Sequence, residues 1–129
     1  MKPETEPRKI MQADKLLEIV TKVLSDRKAD NVVTIDVIGK TSFTDYMVIA
    51  TGTSARHVKA LCEYVTIELK DQGVMPLGVE GSQGAEWVLA DLGDVILHVM
   101  TAQSREFYQL EKLWTVDHVE DDSEEYEEE

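Results

Sequence analysis

The stretch from Trp87 to Met100 constrains the fold more than any other part of the chain. Trp87 to Asp91 and Val95 to Met100 are two short runs dense in aliphatic and β-branched residues, separated by Leu92-Gly93-Asp94. Runs of that kind flanking turn chemistry specify an antiparallel hairpin. A two-residue turn at Leu92-Gly93 sets Asp91 opposite Asp94. Side chains alternate along a strand, so the two faces follow. One face carries Val88, Ala90, Val95, Leu97 and Val99, is wholly aliphatic, and belongs on a core. The other carries Trp87, Leu89, Asp91, Asp94, Ile96, His98 and Met100. That second face has two readings. Its aromatic, Met and polar mixture is the composition of a protein-binding surface. It could equally lie under a helix in a three-layer domain, since buried sheets carry apolar residues on both faces. A bulge in the turn would change the assignment.

The rest of the chain supplies partners for this hairpin. Ala13, Leu16, Leu17, Val20 and Leu24 recur at helical spacing and predict an amphipathic helix over Gln12 to Arg27. Val32 to Val37 and Tyr46 to Ala50 predict two strands, with a polar loop between them. Ser54 is suited to cap a second helix, with Val58, Leu61, Cys62, Val65 and Leu69 as its buried stripe. Gly73 is placed to end that helix in a left-handed conformation, and Pro76 follows. Leu77 to Val79 predicts a short strand. Ser104 to Trp114 predicts a last helix burying Phe107, Leu110 and Trp114. The order predicts a single α/β (α+β) domain over residues 11–116, with a mixed sheet of about five strands and flanking helices. Residues 1–10, with two prolines, predict a flexible extension, and 117–129 a disordered acidic tail.

Charge narrows the function classes. The 129 residues carry a net charge of −13. Nine acids lie from Asp117 onward with no Lys or Arg among them, and without those the remainder carries only −4. Neither part has the clustered cations that hold phosphate backbones, so little direct nucleic-acid contact is expected and a basic protein surface is the better partner. No apolar run approaches the ~20 residues of a membrane span. The acidic, proline-containing start suits neither a signal nor a transit peptide. One cysteine, Cys62, allows no internal disulfide. Cytoplasm is the expected compartment.

Reactive constellations are sparse. His57, His98, His118 and Cys62 are scattered, with neither CxxC nor HExxH spacing, so no metal or other cofactor is expected. Ser54 and His57 lie close in sequence, but the nucleophile-elbow pattern is missing and Ser54 has a sufficient role as a cap. The strand–turn–helix at Gly52-Thr53-Ser54 could hold an anion on its amides, yet no phosphate-loop pattern accompanies it. Gly78, Gly81 and Gly84 precede a strand, where a dinucleotide fingerprint opens a helix. Asp45 has no second carboxylate at alternate spacing, Met47 standing there instead. A nucleotidyltransferase-like enzyme using the Gly52 turn remains as the alternative, and a general acidic adaptor acting through the tail as a third.

Four stretches, taken together and in order, are more specific than any of these. They are Thr44 to Val58, containing Asp45-Tyr46 and Gly52-Thr53-Ser54-Ala55-Arg56; Pro76 to Gly81; Trp87 to Met100; and Arg105 to Trp114. They resemble the motifs of the RsfS/Iojap family of ribosomal silencing factors, and the likeness runs from about Met11 to Trp114. The resemblance implies a nucleotidyltransferase-like fold without enzymatic activity. It implies binding to the large ribosomal subunit through ribosomal protein fourteen, which excludes the small subunit and represses translation. Homodimers are also implied as common in the family. The family's contact region maps to the mixed hairpin face, with Trp87 as anchor and Leu89, Ile96, His98 and Met100 around it. Asp91 and Asp94 are then placed to meet partner cations, and Tyr108 is their neighbour. Asp45 and Arg56 match motif positions, where fixing a loop and bracing a helix start are the simpler roles.

Overall fold

The computed structural model describes residues 11–81 and 84–115. The expectations for residues 1–10 and 117–129 therefore lie outside the described residues. The elements are α1 (Ala13–Asp26), β1 (Asp30–Asp36), β2 (Tyr46–Gly52), α2 (Ala55–Asp71), β3 (Gly78–Glu80), β4 (Trp87–Asp91), β5 (Val95–Thr101), α3 (Ala102–Tyr108) and α4 (Lys112–Thr115). The strands form one five-stranded sheet in the order β1-β2-β5-β4-β3. β2 and β5 are parallel, while β1–β2, β4–β5 and β3–β4 are antiparallel. This is the expected mixed α/β architecture.

α1 and α2 cover one face of the sheet. Leu16, Ile19, Val20 and Leu24 are the buried positions of α1. Ile19 takes the place expected for Ala13 and Leu17, which are half-buried. On α2 all five expected positions, Val58, Leu61, Cys62, Val65 and Leu69, are buried. They meet Val48, Ala50, Val88, Ala90, Val95, Leu97 and Val99 of the sheet in the main core. Ser54 caps α2 as expected, its Oγ accepting the His57 amide at 3.1 Å. Gly52 is required by packing: a Cβ there would meet Val58 backbone N and Cγ2 at 2.9 Å.

Two expectations are corrected. The hairpin turn is Gly93-Asp94, flanked by Leu92 and Val95, with the Leu92 amide donating to Val95 O at 2.9 Å. Asp91 consequently faces Ile96, not Asp94. Gly93 has φ +94°, and glycine at the first central position is what a II′-type turn selects. The register moves by two residues, so the residues that remain in the strands keep their faces. What changes is the tip: Leu92 is buried, and Asp94 leaves the mixed face for the exposed turn. The second correction concerns the closing helix, which is two pieces, not one. Thr101 caps α3, accepting the Ser104 amide at 3.3 Å, and Gln109 breaks the helix at φ +48°. Arg105 is the buried residue of α3. Two residues on is about 200° around a helix, so Phe107 points away from the protein. It is 78% exposed, against the expectation that it is core.

Candidate docking face

The second face of the sheet is held by a smaller core of Ile35, Val37, Met47, Ile49 and Met100, with Val33, Trp87 and Leu110 packed against it. β5 lies between β2 and β4 and so receives side chains from both sides. Ile96, His98 and Met100 are buried there. These three were expected to offer contacts; in this structure they lie beneath the surface and support it. On β4, farther from the middle of the sheet, Trp87, Leu89 and Asp91 are half-buried.

Trp87 and His98 form the polar link of this face. The indole Nε1–H donates to His98 Nδ1 at 3.0 Å, with the rings 5.8 Å apart. Accepting at Nδ1 places the neutral imidazole's proton on Nε2. That nitrogen is buried and finds no hydrogen-bond partner among the described residues. Burial pushes the His98 pKa down to about 4, since desolvation disfavours the imidazolium.

The face opens at the end where β4 begins. Tyr108 of α3 stands 4.8 Å from the Trp87 ring, tilted by 51°, and Phe107 meets Tyr108 edge-on at 4.9 Å. Tyr108, Phe107 and Leu113 are all exposed. Adjacent Phe107 and Tyr108 could not both face inward on one helix, and that was the sequence signal for an exposed aromatic. The opposite end of β4, about 13 Å away at strand rise, is acidic. Asp91 Oδ1 accepts the Gly93 amide at 3.0 Å and so braces the turn. Asp94 projects from the tip, while its carbonyl accepts the Asp45 and Tyr46 amides at 3.1 and 3.0 Å. Asp45 thus fixes the loop through its backbone and brings a third carboxylate to this end.

The structure does not bring Arg56 to this face. It is exposed on the first turn of α2, the helix that packs on the aliphatic side. The Gly52 turn beside it is occupied by structural bonds. His57 Nδ1 accepts the Thr53 amide at 2.9 Å and Nε2 donates to Arg27 O at 3.1 Å, leaving neither nitrogen to activate Ser54. The Arg27 guanidinium stacks 3.8 Å over the Tyr64 ring. Among the described residues no group of three or more His, Cys, Asp or Glu side chains could hold a metal ion, and no helix is long and apolar enough to cross a membrane.

Comparison with known proteins agrees with this geometry. The family described as "Ribosomal silencing factor during starvation" matches residues 10–129, a span that runs past the four motifs and through the acidic tail. A ribosomal silencing factor RsfS from Haemophilus influenzae is 44% identical over 99 residues, covering 77% of this chain and 97% of its own. A mouse protein named for mitochondrial assembly of the ribosomal large subunit is 33% identical, over 78% of this chain and 45% of its own. A crystal structure of a Chromobacterium violaceum protein superposes with a TM-score of 0.78 at 39% identity, covering 81% of this chain and 87% of that one. With the family match spanning nearly the whole length and the hairpin, capped turn and closing helices all in place, the chain belongs to the ribosomal silencing factor family.

Proposed function

We propose that this protein docks on the large ribosomal subunit, through ribosomal protein fourteen, and sterically prevents the small subunit from joining. The observation that carries the reading is the aromatic row of exposed Phe107 and Tyr108 with half-buried Trp87 at one end of the second sheet face, and Asp91, Asp94 and Asp45 at the other. Aromatics in a partly desolvated patch are the usual energetic centre of a protein interface. Carboxylates at the edge guide a basic partner into register. Leu89 lies between the two ends. Ile96, His98 and Met100 act from below, by holding Trp87 and its strand in place.

The mechanism has no chemical step. Occupancy of one surface excludes a competitor, so repression follows the free concentration and affinity of the factor. The relative named for large-subunit assembly supports a target on that subunit. Contact with the ribosome is through protein rather than rRNA, in keeping with the acidic charge. A cytoplasmic setting accompanies the ribosomal target. The same aromatic row is also a surface on which two copies could pair, and sedimentation equilibrium of the free protein reads that directly.

The test is co-sedimentation of purified protein with separated ribosomal subunits, followed by addition of the missing subunit. Stoichiometric binding to the large subunit alone, with fewer joined ribosomes, is the expected result. Failure to bind either subunit at micromolar protein would end the reading.

A further inference from the structure

Arg105 is the only ionised side chain buried among the described residues. Its Nη1 donates to Asn31 O at 2.6 Å and to Thr51 Oγ1 at 2.8 Å. Its Nε and Nη2 donate to the two carboxylate oxygens of Glu111, each at 3.0 Å. One guanidinium therefore joins the start of β1, the end of β2, and the chain beyond the helix break at Gln109. The hydrogen bonds from Arg105, helped by its charge, in turn hold the Glu111 carboxyl below its usual range.

α3 has only seven residues, too few to be stable by itself. Its first end is fastened to Glu86, the residue before β4: the Thr101 amide donates to Glu86 O, and Glu86 Oε1 accepts the Thr101 and Ser104 hydroxyls at 3.1 and 3.3 Å. Its other end has the Arg105 cluster. Tyr108, three residues beyond Arg105, lies on the same side of the helix and is carried onto Trp87. Burying a guanidinium is costly, and apolar residues of similar volume often stabilise as well. Fork geometry supplies what they cannot, a fixed orientation.

We propose that Arg105 is a positioning residue for the docking face: clamped by Glu111, Thr51 and Asn31, it sets α3 so that Tyr108 stands over Trp87 before a partner arrives. This rests on the docking reading given above. Pre-setting the two rings removes the ordering cost that binding would otherwise meet.

The experiment uses the full chain with Trp114→Phe, which leaves Trp87 as the only tryptophan. Glu111→Gln, Arg105→Lys and Arg105→Gln are compared by thermal melting, by Trp87 near-ultraviolet circular dichroism and emission, and by co-sedimentation with large subunits. Glu111→Gln is expected to melt cooperatively, to shift the Trp87 signals toward those of Tyr108→Ala, and to bind about tenfold more weakly. Arg105→Lys should restore neither property, because one ammonium cannot reproduce the fork. Adding Glu111→Gln to Arg105→Gln should weaken binding no further. Unaltered Trp87 signals in a folded Glu111→Gln and a folded Arg105→Lys would overturn the proposal, even if both melt earlier, since Arg105 would then serve stability alone. If the parent protein binds no subunit, the docking reading fails, and the Trp87 signals still decide whether the clamp sets the rings.

Discussion

The two faces of this sheet are built by different means. On the first, Val48, Ala50, Val88, Ala90, Val95, Leu97 and Val99 meet α1 and α2 in a continuous aliphatic core. Non-directional burial is enough there, and any residue set with the right pattern and volume would serve. On the second, a small cluster is joined by directed contacts: Trp87 to His98, and Arg105 to three separate segments. The cover is the two-turn helix α3 and the short α4, which leave Phe107, Tyr108 and Leu113 in solvent. The difference teaches that the aliphatic face supplies stability, while directed contacts on the mixed face hold a few aromatics in one orientation, which is what the proposed docking requires.

The largest expected effect tests the first half of that contrast. Leu97, fully buried on the aliphatic face, should cost about 3–4 kcal/mol of folding stability when replaced by alanine. Urea unfolding measures it, and a loss comparable to that of an exposed-face truncation such as Leu113→Ala would break the comparison.

His98 provides the next test, with a loss of about 3 kcal/mol expected from its depressed pKa of about 4 against 6.5 in the unfolded chain. Between those values the unfolded chain binds a proton that the folded protein does not. The neutral histidine's contribution is therefore complete above pH 6.5 and declines as pH falls to about 4. His98→Gln, which can still accept the Trp87 N–H, should flatten the stability–pH curve in that window by about this amount. Parallel curves for the two proteins would place His98 in water.

Trp87→Ala should weaken large-subunit binding by about 2 kcal/mol, roughly 30-fold, with the aliphatic core left intact. A folded variant with full affinity removes Trp87 from the interface and leaves the mixed face as packing. The smallest effect is expected at the acidic end. Asp94→Lys should slow association a few-fold at low salt and leave folding almost untouched. An on-rate equal to the parent's at every ionic strength would confine the interface to the aromatic end.

Much of the architecture was legible because burial acts locally. The α2 stripe from Val58 to Leu69, the Ser54 cap and the left-handed Gly73 each follow from spacing or from the needs of one helix end. The faces of the hairpin were legible too, since a two-residue error in its turn preserves parity. The candidate site was legible as a composition, Trp87 with Tyr108 and nearby carboxylates, but its depth was not. Ile96, His98 and Met100 look as available as Trp87 until β5 is known to lie between β2 and β4.

The chain ends of the last helix mark the same limit. Periodicity placed Phe107 in the core because it assumed one helix from Ser104 to Trp114. The chain instead breaks at Gln109, and the inward-turned Arg105 is held by Asn31, seventy-four residues away, and by Thr51. By itself the sequence determined most of the elements, the aliphatic core and the residue types on each hairpin face, because hydrophobic pattern, capping and turn chemistry operate over a few residues. The tertiary structure alone decided which of those side chains reach solvent and how they are held. Strand order and buried polar pairing join residues that no local pattern connects.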